Sequence, residues 1–353
     1  MRTLKPNLPT NVSQFQATVR PVKGSVRGGG GTKVTAAHVK PPKPTPTAES
    51  YNDQGDEFFD QGEYDKAVEA YKQAIKLKPS YAEAHNNLGD TYFNMKKFEE
   101  AAAAYKQAVK YRPNWAEAYN GLGDSLFNLH RDSEALEAYQ QTVRLDPNAG
   151  PAFYNLGYIY YGMNKDTEAV AALKQATRLE PKDWEAFNYL GKVYDRLKQF
   201  DAAADAYRHA SSLNPNSAEI YYSIGAALYN AGHDEDSIAA YKQALVLKSD
   251  QPDVYSNIGD AYFRLKRYSE AADNYKHAVI LKQADADTYN NLGFASNKLL
   301  RFSDAVEAYK NALALKPDLA GAYTNLGYAL GKSKPARFAE AIEALKKAVS
   351  QKP

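Results

Sequence analysis

Nine glycines (Gly55, Gly89, Gly123, Gly157, Gly191, Gly225, Gly259, Gly293 and Gly327) stand 34 residues apart without a break. A period of that length confines the chain to a stacked-repeat architecture, because one unit cannot bury its apolar face alone and must bury it on its neighbours. It also frames the functional question: a stack of this kind is mostly surface, and its usual work is holding other chains.

Each repeat is taken to start seven residues before its glycine, so the first runs from Ala48 to Tyr81. Four positions before the glycine stands an aromatic residue or His, as at Tyr51, His85 and Tyr119. One before it stands Leu or Ile in eight of the nine repeats; the first has Gln54, as suits a terminal repeat with no neighbour before it. A small residue follows twelve positions after the glycine (Ala67, Ala101, Ala135, with Ser237 in the sixth repeat), then pairs such as Tyr71 with Ala74. Prolines close most repeats, from Pro79 to Pro353. Apolar residues at helical spacing within each half, a polar break such as Asn94–Lys97 between the halves, and a proline that cannot continue a helix together predict a helix hairpin. Glycine in a helix costs roughly 1 kcal/mol relative to alanine, so nine of them require a packing reason, namely close approach of two helices.

This succession of residues resembles the tetratricopeptide repeat family over residues 48–353, about nine repeats. The resemblance implies an all-α fold, an α-solenoid formed as a right-handed superhelix of antiparallel helix pairs. It also implies that the first helix of each pair lines a concave groove. Three departures stand out. Ser249 and Gln283 replace the closing proline of the sixth and seventh repeats, a two-residue insertion falls in the turn Gly331–Arg337, and Ser296 replaces the usual large residue three after the glycine.

Charge is divided along the chain. Residues 1–47 carry eight Lys/Arg and no acid, leaving 36 basic and 42 acidic residues, a net of −6, for the repeats. The sequence therefore reads as two domains: a basic Pro/Gly-rich arm or linker at 1–47, disordered or strand-forming on a partner, and a nine-repeat body at 48–353. The arm is non-helical in pattern, with alternation at Phe15, Ala17 and Val19 and an extended Lys40–Thr47 stretch.

Enzyme chemistry finds no foothold. The Gly28–Lys33 run lacks the order of a phosphate loop, and the six histidines form no metal-binding pair; His209 and His277, equivalent in their repeats, read as surface or packing residues rather than metal ligands. There is no cysteine, so thiolate metal sites and disulfides are excluded, and no cofactor is expected. No apolar run approaches the roughly 18 residues of a membrane span, and no secretory signal is visible, which leaves the compartment open between cytoplasm and exterior. An acidic body opposes nucleic acid.

Binding residues are sought six before, two before, one after and four after the repeat glycine, the positions that face the groove in the family this chain resembles. Two before it stand Asn87, Asn155, Asn257, Asn291 and Asn325. They resemble the asparagine ladder that grips peptide backbone in some long arrays of the family, since an amide offers a donor and an acceptor whatever the peptide sequence. One after it, the first three repeats carry Asp56, Asp90 and Asp124; four after, Phe59, Phe93 and Phe127. Acids beside aromatics suit a basic, partly apolar extended segment of a protein partner. The leading expectation is thus a non-catalytic protein–protein interaction scaffold. The alternative is a structural subunit that assembles with itself head to tail into a filament, through an uncapped ninth repeat and the arm.

Overall fold

A computed structural model describes residues 46–281, 285–333, 335 and 337–351. The expected arm at 1–47 lies outside the described residues except for Pro46 and Thr47. Eighteen α-helices, and no strand, occur among the described residues. The described residues form two compact units that divide between Lys182 and Asp183. The first unit holds α1 (Ala48–Asp60), α2 (Tyr64–Leu77), α3 (Ala82–Asn94), α4 (Phe98–Tyr111), α5 (Ala116–Asn128), α6 (Asp132–Leu145), α7 (Gly150–Gly162) and α8 (Asp166–Leu179). The second holds α9 (Trp184–Arg196), α10 (Phe200–Leu213), α11 (Ala218–Ala231), α12 (Asp234–Leu247), α13 (Pro252–Arg264), α14 (Tyr268–Ile280), α15 (Ala286–Lys298), α16 (Phe302–Leu315), α17 (Ala320–Lys332) and α18 (Phe338–Ser350). Within each unit every odd helix pairs with the even helix after it, and each even helix packs on the next odd one, so the all-α stack of helix hairpins expected from the repeat is what forms.

The hairpin turns follow one recipe. Seven residues after the repeat glycine the backbone turns left-handed, at Gly62, Lys96, His130, Asn164, Lys198, Gly232, Lys266 and Leu300. Two are glycines; the other six carry a side chain into a conformation that costs L-residues roughly 1–2 kcal/mol. The cost is offset by helix termination. The N–H groups of Lys96 and Lys97 return to the carbonyls of Phe93 and Tyr92 at 2.9 Å each, satisfying acceptors that the end of α3 would otherwise leave open. The second helix ends for a different reason: the residue before a proline is pushed out of helical geometry, and Lys78, at φ −136°, does this before Pro79. Lys248 adopts the same extended geometry before Ser249, so termination there survives the loss of proline. Gln283 lies outside the described residues, and α14 ends at Ile280. The insertion in the ninth repeat lengthens its turn: Ser333–Arg337 separate α17 from α18, where Met95–Lys97 separate α3 from α4.

The glycines have the packing reason their number required. A Cβ on Gly55, Gly89, Gly123, Gly191, Gly225, Gly259 or Gly293 would come within 3 Å of a tyrosine ring on the second helix of the same hairpin. Those rings (Tyr71, Tyr105, Tyr139, Tyr207, Tyr241, Tyr275 and Tyr309) are almost wholly buried, and burying an aromatic ring of this size contributes roughly 2–3 kcal/mol. One ring also serves the next hairpin: a Cβ on Gly121 would meet Tyr105 at 2.4 Å. In these seven units the tyrosine is the pin and glycine the slot it needs; Gly157 and Gly327 receive Leu173 and Leu345 instead. His209 and His277 stack on Phe187 and Tyr255 with ring centroids 5.2 and 5.3 Å apart, as packing residues should.

Candidate functional site

In the first unit the residues chosen from sequence are drawn into a polar seam between successive hairpins. Asp56 accepts from the Tyr71 hydroxyl at 2.8 Å and from Asn87 Nδ2 at 3.0 Å. Asp124 accepts from Tyr139 at 2.6 Å, from Asn155 Nδ2 at 3.3 Å and, on its other oxygen, from Asn120 Nδ2 at 3.0 Å. Asp90 accepts from Tyr105 at 2.6 Å and from Asn86 at 3.0 Å; the next repeat offers it no asparagine because Gly121 stands there. Each aspartate thus ties the tyrosine of its own hairpin and, at Asp56 and Asp124, the asparagine of the next.

This geometry assigns much of the ladder to internal work. Asn87 spends its Nδ2 on Asp56 and on Asn52 Oδ1 at 3.2 Å, and Asn155 spends its own on Asp124. The acids six before the glycine are also engaged: Glu49 pairs with Lys78 at 3.2 Å and Glu83 with Arg112 at 3.3 Å. These pairs are exposed and worth little in stability, but they reduce the negative field of the early repeats. Phe59, Phe93 and Phe127 are half-buried, each packed on another ring: Phe59 tilted against Tyr64 at 5.6 Å, Phe93 edge-on to Phe98 at 5.3 Å and Phe127 edge-on to Tyr158 at 5.7 Å.

Burial dominates the electrostatics of the seam. It pushes the Asp90 carboxyl up to about 6 and the fully buried Asp124 up to about 8, against the opposing pull of their tyrosine and asparagine donors. The phenols of Tyr105 and Tyr139 are driven upward first by burial and then by the adjacent carboxylates. Asn120 Oδ1 is buried with no hydrogen-bond partner, so a protonated Asp124 has an acceptor close by once the Asn120 amide turns over.

Sequence reasoning missed the tyrosines and the asparagines three before the glycine. One signal was available: Tyr rather than Phe recurs at a buried position in seven of nine repeats, and a buried phenol calls for a polar partner.

The second unit contains a place where the four positions chosen from sequence converge. A pocket of about 550 Å³ is lined by Asp287 six before its glycine, Asn291 and Asn325 two before, Asp260 and Phe294 one after, and Phe263 and Tyr229 four after. Tyr275 and Asn290 complete it, so first helices of four successive hairpins (α11, α13, α15 and α17) contribute. Asp260 repeats the seam, accepting from Tyr275 at 2.6 Å and Asn291 at 3.0 Å. Asn257 departs from it and donates to the Tyr222 hydroxyl at 3.2 Å. Phe263 and Phe294 meet edge to face with centroids 5.3 Å apart. The Arg264 guanidinium lies 3.8 Å over the Tyr229 ring and is held by Asp234. Among the described residues no group of three or more His, Asp or Glu side chains is placed to hold a metal ion, and no helix is long and apolar enough to cross a membrane.

Comparison with known proteins agrees with the repeat geometry. Two family models match: one described as "TPR repeat" at residues 55–96, 229–266, 259–299 and 301–334, the other as "Tetratricopeptide repeat" at 89–150 and 154–218. No curated protein sequence matches. Among solved structures the chain is similar to YrrB, described as a TPR protein with an unusual peptide-binding site, at 22% identity and TM-score 0.49, covering 52% of this chain and 95% of that one. It is similar to MamA at 28% identity and TM-score 0.46, covering 48% and 92%. A tetratricopeptide repeat protein from Parabacteroides merdae matches at 17% identity and TM-score 0.46, covering 70% and 98%.

Proposed function

Because this chain belongs to the tetratricopeptide repeat family, whose members bind protein partners and are typically non-catalytic scaffolds, we propose that it holds an extended segment of a partner protein along its first helices and performs no chemistry itself. The observation that carries this reading is the pocket on α11, α13, α15 and α17, where ladder asparagines, aromatic rings and carboxylates from consecutive repeats face one space. A peptide backbone needs donors and acceptors at regular intervals, and the stack offers one set per repeat. Asn325, which lines the pocket and lies outside the Asp–Tyr seam, is the ladder residue best suited to a ligand. Peptides selected from a displayed library against the full chain should lose about fivefold in affinity on Asn325→Ala, as expected for one hydrogen bond. Selected peptides that bind wild type and variant equally would assign the ladder to structure.

A second reading, self-assembly, is favoured by one surface. Ile342 of α18 is 53% exposed, whereas Ile238, its counterpart on α12, is 3% exposed beneath the next helix. Phe338 and Val349 extend the same exposed face. Head-to-tail joining onto α1 meets an obstacle at Gln54, which stands where later first helices bury Leu or Ile. Light scattering of the full chain distinguishes a monomer from a concentration-dependent polymer.

A further inference from the structure

We infer that the outer face of the first hairpin, α1 with α2, is the docking surface of the chain's own basic arm, and that the segment seated there is Gln14–Arg20. Among the described residues no helix precedes α1. In later hairpins the same face is covered by the hairpin before. Leu122 and Leu126 of α5 are 7% and 1% exposed and share a core cluster with Ala101, Ala102 and Tyr105 of α4. Their counterparts on α1 are Gln54, which is exposed, and Phe58, which is half-buried. With Tyr51 and Ala70 they line a pocket of about 430 Å³ that also holds Asp65 and Glu69. Lys66, the one base in its lining, is taken by Glu63 at 2.7 Å.

Charge, attachment and side-chain chemistry select the arm as the occupant. Residues 48–81 carry eight acids, more than any other repeat, and four lysines, a net of −4 with every lysine of the repeat counted. The next repeat, 82–115, has four acids and five bases, a net of +1. The arm's eight Lys/Arg and no acid thus complement the first hairpin and not the second. The arm also joins this hairpin directly: Thr47 opens α1 in a capping box, its hydroxyl accepting from the Ser50 N–H at 3.1 Å. Arg20 lies 27 residues before Thr47, and that length of chain reaches up to roughly 90 Å, against about 21 Å for a 14-residue helix such as α2. A tether of this kind holds its end at millimolar local concentration. Gln54 fits an extended occupant better than a helical one. A packed helix has no free backbone groups and buries Leu or Ile at this position, whereas an extended segment needs a donor and an acceptor, and an amide supplies both. Gln14–Arg20 has the matching pattern, with Phe15, Ala17 and Val19 alternating with polar residues and Arg20 at its end for the carboxylates. A seated arm also occupies the face that α18 of a second copy would need, so self-assembly requires its displacement.

The test is hydrogen exchange of the full chain at low salt, read by mass spectrometry over residues 15–20. Wild type is compared with a double variant of the arm, Phe15→Ser with Val19→Ser, and a double variant of the pocket, Glu69→Lys with Gln73→Lys. Both pocket positions are exposed on α2, and circular dichroism checks that the helices persist. Amides of residues 15–20 should exchange about tenfold more slowly in wild type than in either variant, and the difference should shrink at high salt. Slow exchange in wild type must also be independent of protein concentration, because the contact lies within one chain. Equal rates in all three proteins overturn the inference. So does protection that survives the pocket variant, which would put the arm elsewhere, and so does protection that grows with concentration, which would put it on another copy.

Discussion

The third and sixth hairpins are the same device with one group exchanged. In α5 and α6, Gly123 receives the Tyr139 ring, whose hydroxyl donates to Asp124 one residue along. In α11 and α12, Gly225 receives the Tyr241 ring in the same way, but Ala226 replaces the aspartate, and the buried Tyr241 hydroxyl has no hydrogen-bond partner among the described residues. Both hairpins have two helices of the same register and a wholly buried ring. The contact between glycine and ring therefore builds the unit. The carboxylate adds a link onward, since Asp124 also binds Asn155 of the following hairpin. Dropping it frees the polar positions of the first helix for other use.

The largest test of this comparison attacks the shared half. A Cβ on Gly123 would lie 2.7 Å from the Tyr139 ring, and one on Gly225 would lie 2.5 Å from that of Tyr241. Gly123→Leu and Gly225→Leu should each destabilise the chain by about 3 kcal/mol or more, from overpacking against a ring with no room to move. Denaturant melts followed by circular dichroism will show this as two similar drops in midpoint. If only one variant is damaged, the two hairpins are not equivalent.

A second test concerns the half that differs. Burial raises the folded pKa of Asp124 to about 8, above the roughly 3.9 of an unfolded aspartate. The folded state then holds a proton that the unfolded state gives up, so stability falls as pH rises from about 4 to about 8 and levels off above. Asp124→Asn removes that dependence, and the turned-over Asn120 amide can accept from the new side chain. The variant's melting midpoint should rise relative to wild type across this window. A constant difference between pH 4 and pH 8 would show that the three donors keep Asp124 ionised throughout.

The smallest effect has opposite signs in the two hairpins. Tyr139→Phe deletes a 2.6 Å donor to a buried carboxyl and should cost about 1–2 kcal/mol. Tyr241→Phe deletes a hydroxyl without a partner and should be neutral or stabilising by about 1 kcal/mol. Losses of equal size would mean that the Tyr241 hydroxyl is satisfied by water, and that the comparison rests on the wrong atom.

The repeat itself was legible because its information is local. A glycine every 34 residues, small residues facing it and a proline at the close act within one hairpin, over distances along the chain that sequence spacing reports directly. From these came the all-α stack and the hairpin turns. Partnership across hairpins was not legible. Asn87 and Asn291 look alike as ladder residues, and both spend Nδ2 on an aspartate 31 residues earlier, a bond that exists only when two helices are stacked. Asn325 looks the same in sequence, yet Phe294 stands 31 residues before it, where Asn87 and Asn291 find an aspartate. Asp56, Asp90 and Asp124 read as an acidic surface, but packing turns them toward Tyr71, Tyr105 and Tyr139. Periodicity determined which residue types stand at each position of the repeat. Tertiary structure alone decided which polar atoms are spent inside and which line a pocket, because an amide or carboxylate chooses its partner by distance and burial, and neither is encoded in spacing.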